Sequence, residues 1–300
     1  MIDDAADDRG IFDARYLAFL ETIKQIRPKL HRYCARMTGS ILDGEDVVQD
    51  ALFDAYRKLD TFDDARPLGP WLFRIAHNRC IDLLRRRGVR EDAEAEVAGE
   101  DAVEATLPAG PALGRAVERL VLALPPKERA CVLLKDVFDY SLEETAVLVE
   151  STVGGVKAAL SRGRGKLAAL PPAPLPRRTV PPDLERLLRL YVERFNQQDW
   201  DGLRTLIAAD ARLRVADGFA GTLESSPYFS RYATVPVPWR MAAGEVDGEP
   251  AVIILSRRDD GRWLPRSASR LEWTGERVTR IADFWHITWL LDAADSVVLW

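Results

Sequence analysis

Twelve residues past the middle of the chain, Pro171 to Pro182 with the sequence PPAPLPRRTVPP, set the strongest limit on its fold. Proline lacks a backbone N–H and fixes φ, so a segment this rich in it enters neither a helix interior nor a central strand. It reads as an extended, semi-rigid spacer, and a chain interrupted in this way must build a core on each side. The two sides differ in period. Upstream, apolar residues recur every three or four positions, as on a helix; downstream, after two short helical stretches, they alternate with polar ones, as on a strand. At 300 residues there is chain enough for two or three domains.

Three helices are predicted before residue 91. Ile11 to Arg36 carries Tyr16, Leu17, Leu20, Ile23, Ile26, Leu30 and Tyr33 in one stripe, with a bend expected at Pro28. From Leu42 to Leu59, Val47, Val48, Ala51, Leu52 and Ala55 share a face, leaving Glu45, Asp46, Gln49, Asp50 and Asp54 on the other. Gly69 to Arg90, GPWLFRIAHNRCIDLLRRRGVR, sets an apolar stripe against Arg74, Arg79, Arg85, Arg86, Arg87 and Arg90, which meet one carboxylate, Asp82. Most charge runs of this kind are solvated faces. Here Trp71, Phe73, His77 and Asn78 are interleaved with the cations, a combination that holds phosphates by charge while stacking on or hydrogen-bonding unpaired bases.

Glu91 to Gly110 is acidic, lacks helix or strand period and reads as a linker. Positive charge returns between Lys157 and Arg178. A net charge of −5 argues against a protein that coats nucleic acid indiscriminately, whereas two basic islands joined by an acidic bridge suit a grip on two separate DNA segments. Ala112 to Leu124 is expected to be a helix stopped by Pro125-Pro126, followed by Lys127 to Phe138. Ser141 with Glu144 has capping-box spacing and opens Leu142 to Val149. After a turn at Glu150-Ser151, a cationic helix runs from Thr152 to Leu170. This is the helix-turn-helix layout, whose second helix enters the major groove. Gly154, Gly155, Gly163 and Gly165 each cost that helix about 1 kcal/mol against alanine.

The motif PWLFRIAHNRCIDLLRRR resembles the promoter-melting segment of extracytoplasmic-function sigma factors, and LPPKERACVLLKDVFDYSLEETAVLVESTVGGVKAALSRGRGKL resembles their −35-binding domain. The resemblance covers Phe12 to Leu170. It implies a non-enzymatic subunit that binds RNA polymerase core and directs promoter recognition, melting and initiation. Carried over by position, Asn78, Arg79, Asp82, Arg85 and Arg86 face the −10 element, with Asp63 to Leu68 as a base-capturing loop. Thr152, Val153, Gly155, Lys157, Ser161 and Arg162 lie in or beside the −35 major groove, and Arg164 and Lys166 reach phosphates. DGEDVVQDALFDAYR resembles the segment that docks on the β′ clamp helices, implying contacts from Asp46, Gln49, Asp50 and Phe53; the −35 domain is expected to meet the β flap. In this family the acidic connection threads the polymerase channel.

Beyond the prolines, Leu184 to Phe195 and Trp200 to Leu203 suggest two helices joined at Gln198-Asp199. Strand-like runs follow at Ala211 to Ala216, Val235 to Val246, Ala251 to Arg257, Trp263 to Trp273 and Arg277 to His286, with turns between them. LYVERFNQQDWDGLRTLIAADARLRVADG and VTRIADFWHITWLL resemble SnoaL-like domains of the nuclear transport factor 2 fold. The expected fold is thus multidomain: a helical bundle (1–90), a linker (91–110), a helix-turn-helix domain (111–170), the proline spacer (171–182) and an α+β cone (183–300). The resemblance implies a pocket at the open end of the cone, with Tyr232, Trp239, Asp283 and His286 as candidate groups. Asp283 and His286 lie three apart, hence on opposite faces of a regular strand, so a joint acid–base role is disfavoured. Regulation by packing of the cone on the sigma half, through an intramolecular contact, is preferred to catalysis; a small-molecule ligand is the lesser alternative.

No run reaches the roughly 20 apolar residues that cross a bilayer, and MIDDAADDRG is acidic, so a cytoplasmic protein without membrane contact is expected. Cys34, Cys80 and Cys131 fit no metal or disulfide spacing and read as core thiols, and no cofactor or metal is implied.

Overall fold

In the first half, α1 (Asp4–Thr38) and α2 (Ile41–Arg57) form a helical hairpin. Gly39 turns the chain at a φ of 78°, and Ser40 caps α2 by accepting the Asp43 N–H at 3.1 Å. The hairpin closes tightly because residue 44 is glycine: a Cβ there would lie 2.5 Å from the Ala35 nitrogen. Pro28 sits inside α1, which continues through it. Leu30, Tyr33, Val48, Ala51 and Leu72 share the core with α3 (Leu68–Val97). The third helix runs past Arg90 into the stretch read as linker, since EDAEAEV consists largely of strong helix formers.

The coordinates come from a computed structural model that describes residues 4–63, 65–97, 121–170, 180–215, 220–223 and 226–300. The expected helix from Ala112 lies mostly outside these residues, as do 98–110 and most of the proline spacer; Val121–Ala123 is one 3₁₀ turn. The single helix expected over Lys127 to Phe138 is instead α4 (Pro126–Val132) followed by a π-type turn, Leu133–Val137. That widening allows the Phe138 N–H to reach Leu133 O at 2.9 Å and brings the Phe138 ring to 6.0 Å from Tyr33. The expected capping box is formed on both sides at Ser141 and Glu144, opening α5 (Leu142–Leu148), and α6 (Val153–Ala169) follows.

The chain divides into two compact units, Met1–Pro176 and Arg177–Trp300. In the second, α7 (Pro182–Asn196) and α8 (Trp200–Leu206) precede a seven-stranded sheet in the order β2-β1-β6-β5-β4-β3-β7. The strands are β1 (Ile207–Val215), β2 (Ala220–Thr222), β3 (Trp239–Val246), β4 (Glu249–Arg257), β5 (Trp263–Thr274), β6 (Arg277–Asp283) and β7 (Val297–Leu299). The β1–β6 pair is parallel and the others antiparallel. The expected α+β cone is borne out. Two boundaries are corrected: β3 begins at Trp239 rather than Val235, because Pro236 and Pro238 offer no N–H to a ladder, and β6 stops at Asp283. A short helix, α9 (Tyr228–Ala233), adds to the aromatic core.

Candidate nucleic-acid interface

Helical phase sorts the groups on α3. Phe73, Ala76, His77 and Cys80 recur at i, i+3, i+4 and i+7 and are buried, while Asn78, Arg85 and Arg86 are exposed beside half-buried Asp82. The aromatic groups therefore face the core. Phe73 packs on Tyr33 at 4.9 Å, and Trp71 on Phe62 at 4.6 Å, so the expected role of Trp71, Phe73 and His77 in stacking on bases is corrected: of that set, Asn78 alone is exposed. The Phe62–Trp71 pair brackets the loop at Asp63. Asp63 accepts the Ala65 N–H at 3.1 Å and pairs with Arg66 at 3.3 Å, which orders the turn in front of α3.

His77 is held neutral by burial, which lowers its pKa to about 4. The Tyr33 hydroxyl lies 2.8 Å from His77 Nδ1, and burial raises the phenol's pKa.

Most of the cations expected on DNA are held by carboxylates of the same unit. Arg79 Nε donates to Asp54 Oδ2 at 2.7 Å, and this bond raises the guanidinium's pKa. Arg85 pairs with Asp82 at 3.1 Å, and Arg87 with Asp43. On the recognition helix, Glu128 takes both Arg162 and Lys166 at 2.9 Å; its carboxyl is held below the usual range by Lys166 first and Arg162 second. Arg164 is doubly bonded to Asp136, at 2.6 and 3.0 Å. Arg86 and Lys157 remain exposed without an ion-pair partner among the described residues.

Thr152 caps α6 by accepting the Gly155 N–H at 3.0 Å, and Gly154, Lys157 and Ser161 line its exposed side, with Val153 and Gly155 half-exposed. Two of the helix-weakening glycines have a packing reason. A Cβ at Gly163 would stand 3.0 Å from Val132 Cγ2, and one at Gly155 would stand 2.6 Å from Ser151 Oγ. Gly154 meets Thr152 Oγ1 at 3.9 Å and Gly165 has open space.

On α2, Asp50 and Phe53 are exposed and Gln49 is half-buried. Asp46 departs from the expectation of an outward acidic face. It is 8% exposed, because the first two turns of α2 are drawn into the tight hairpin around Gly44.

In the carboxy-terminal unit the cone is filled with rings. Phe195 meets Tyr191, Trp200, Tyr228, Phe229, Tyr232 and Trp239 at centroid distances of 5.0 to 6.1 Å. Asp283, fully buried, accepts the Tyr232 hydroxyl at 2.6 Å and the Trp285 N–H at 2.8 Å. Burial raises its pKa and these donors oppose the rise. Tyr232 and Trp239 border a shallow cleft of about 370 Å³ beside Asn196 and Val235. His286 is exposed, outside that cleft. The separation of Asp283 from His286 is as expected, but its cause is the end of β6 at Asp283 rather than strand parity.

Residues 22–90 match the Sigma-70 region 2 family and residues 114–167 the Sigma-70, region 4 family. The ECF RNA polymerase sigma factor SigW of Bacillus subtilis is 32% identical over 162 residues, covering 50% of this chain and 87% of SigW. The ECF RNA polymerase sigma factor SigG of Mycobacterium tuberculosis is 27% identical over 323 residues, covering 93% of this chain and 82% of SigG. A solved ntf2-like protein of unknown function from Burkholderia pseudomallei has 15% identity and a TM-score of 0.28, covering 37% of this chain and 96% of that one. The chain belongs to the ECF family of RNA polymerase sigma factors, which are not enzymes but bind polymerase core and promoter DNA to initiate transcription. Its carboxy-terminal part has the nuclear transport factor 2-like fold. Among the described residues no helix is long and apolar enough to cross a membrane.

Proposed function

We propose that this sigma factor opens its promoter with the face Asn78–Asp82–Arg85–Arg86 of α3 and reads the −35 element with the amino-terminal turns of α6. The observation that carries this is the exposure of both faces while their opposite sides are locked into a core. Asn78, Arg85 and Arg86 project from a helix whose Phe73, Ala76 and Cys80 are buried, and Lys157 and Ser161 from one whose Val156, Ala159 and Leu160 are buried. A cationic, aligned edge of this kind positions on phosphates and leaves sequence reading to short polar groups such as Ser161 and Thr152. Arg79, Arg162, Arg164 and Lys166 act from within ion pairs. Asp50, Gln49 and Phe53 supply the surface for the β′ clamp helices, with Asp46 supporting α2 from inside, and the region-4 domain meets the β flap.

The carboxy-terminal domain is read as a regulatory module acting on the sigma domains. A tether gives two linked parts an effective concentration of order mM, so a weak contact is enough. Its ring-filled interior and shallow cleft favour this over catalysis, and a small ligand at the cleft is the lesser reading.

In vitro transcription with bacterial core polymerase tests both parts, comparing the full chain, the chain ended at Leu170, and Arg85→Glu/Arg86→Glu. Charge reversal is expected to abolish strand opening while leaving core binding intact. Loss of the domain is expected to change transcript yield in one direction. Unchanged opening with the reversed charges sinks the first assignment, and equal yields from full and shortened chains sink the second.

A further inference from the structure

Two modules that must address different DNA segments share a single core in this structure. Cys34, Tyr33 and Phe73 of the first three helices and Cys131, Leu133 and Phe138 of the next belong to one continuous apolar cluster. Polar contacts rim it. Lys29 Nζ stands over the Tyr140 ring at 4.2 Å, the Arg32 guanidinium over Phe138 at 4.8 Å, and Arg74 pairs with Glu150 at 3.6 Å. At its centre is Arg129, 8% exposed. Its Nη2 donates to Leu122 O at 2.7 Å and Leu124 O at 3.1 Å on its own side, while Nη1 donates to Met37 O in the last turn of α1. One guanidinium thus satisfies helix-end carbonyls on both sides of the junction, a use that the planar fork of arginine suits and lysine does not.

Promoter elements named −10 and −35 lie about 25 base pairs apart, roughly 85 Å along the duplex at about 3.4 Å per pair. A compact unit the size of Met1–Pro176 has a radius of gyration of about 16 Å, so two faces on it cannot be that far apart. The chain between Val97 and Val121, at up to about 3.5 Å per residue, has the contour length to span most of the distance once the modules part.

We infer that the junction centred on Arg129 is an autoinhibitory clasp: the closed form cannot engage both promoter elements, and polymerase core binds the minor, opened form. This rests on the sigma-factor reading above. Apparent affinity for core is then the intrinsic affinity reduced by the open fraction, and loosening the clasp raises it.

The test keeps the full chain. Dyes are placed at Glu21→Cys and Glu143→Cys, both exposed, while the three native thiols are buried and stay unlabelled under native conditions. Lys29→Ala/Arg32→Ala removes two cation–π contacts whose ring partners lie across the junction and leaves each module's own core untouched. Each contact is worth about two- to fivefold in population. Energy transfer should fall on adding core polymerase, should already be lower in the double variant, and that variant should bind core about fivefold or more tightly. Arg129→Lys, checked for native helix content, should shift transfer in the same direction. Wild-type transfer that is unchanged by core or by the double variant overturns the clasp, and an opened double variant with wild-type core affinity overturns its inhibitory role. A chain that does not bind core at all overturns the sigma reading instead, and is distinguished because the comparison of transfer in the free proteins needs no polymerase.

Discussion

Tyr33 Oη lies 2.8 Å from His77 Nδ1 in the middle of the amino-terminal core, a phenol and an imidazole sealed together beneath the DNA-facing helix. Burial lowers the His77 pKa from 6.5 to about 4, and burial lowers that of His31 as well. Between about pH 4 and 6.5 the unfolded chain therefore binds more protons at these sites than the folded one. Stability rises with pH across that window, is fully present above it, and is lost on acidification, by about 3 kcal/mol for His77 at roughly 1.4 kcal/mol per unit. Urea titrations followed by far-UV circular dichroism at pH 7.5 and 5 should show the helical unit weakening at the lower pH. His77→Gln, which keeps an acceptor for Tyr33, should remove most of that loss. An equal loss in the variant would place the titrating group elsewhere.

Glu128 holds Arg162 and Lys166 back from solvent phosphates. In Glu128→Gln the two cations are released. Each phosphate neutralised adds about 0.9 to the slope of log affinity against log salt, so duplex binding by the free chain should tighten at low salt and its salt slope steepen by up to about 2. Fluorescence anisotropy with a duplex at several salt concentrations measures this. An unchanged slope would mean that neither cation reaches DNA from this helix.

Local rules carried much of the fold. The Ser141–Glu144 capping box, the Thr152 cap and the change of period after the proline segment were legible because each depends on residues a few positions apart. What was hidden depends on long-range geometry. Cys34 and Cys80, 46 positions apart, lie within hydrogen-bonding reach of one another in the core, which no spacing rule reveals. The π-type turn at Leu133–Val137 follows from the demand of Phe138 for a place against Tyr33. At the candidate site, the charges were visible but their carboxylate partners were not, since Asp54, Glu128 and Asp136 come from other helices. Asp46 misled for a related reason: the amphipathic pattern of α2 cannot show that Gly44 pulls its first turns inward. In the cone, Tyr228–Ala233 carries no clean helical stripe, and its two tyrosines are buried by the surrounding rings.

Gly44 makes a sharp demand on the hairpin. A methyl group there would meet the Ala35 backbone at 2.5 to 2.6 Å, a contact that no rotamer relieves. Gly44→Ala should cost at least the 1 to 3 kcal/mol typical of overpacking, roughly, despite the higher helix propensity of alanine. Thermal melts by circular dichroism should show a lower midpoint for the helical transition. A midpoint at or above the native value would show that α1 and α2 are free to separate.

Asp283 offers the opposite pH behaviour in the second unit. Its carboxyl pKa is raised by burial, with Tyr232 and the Trp285 N–H holding the rise in check. The folded form therefore keeps its proton to higher pH than the unfolded chain does, so stability falls as pH rises through the interval between 3.8 and the raised folded value. Tyr232→Phe removes a donor to the ionised form. It should cost about 1 to 3 kcal/mol at neutral pH and less in acid, where the carboxyl is neutral. Asp283→Asn should flatten this dependence, because the amide still accepts from Tyr232 and does not ionise. Tryptophan fluorescence isolates the unit, since Trp71 is the one tryptophan of eight that precedes residue 177. A Tyr232→Phe penalty that is the same at pH 4 and pH 7 would show that Asp283 does not change charge in the folded cone.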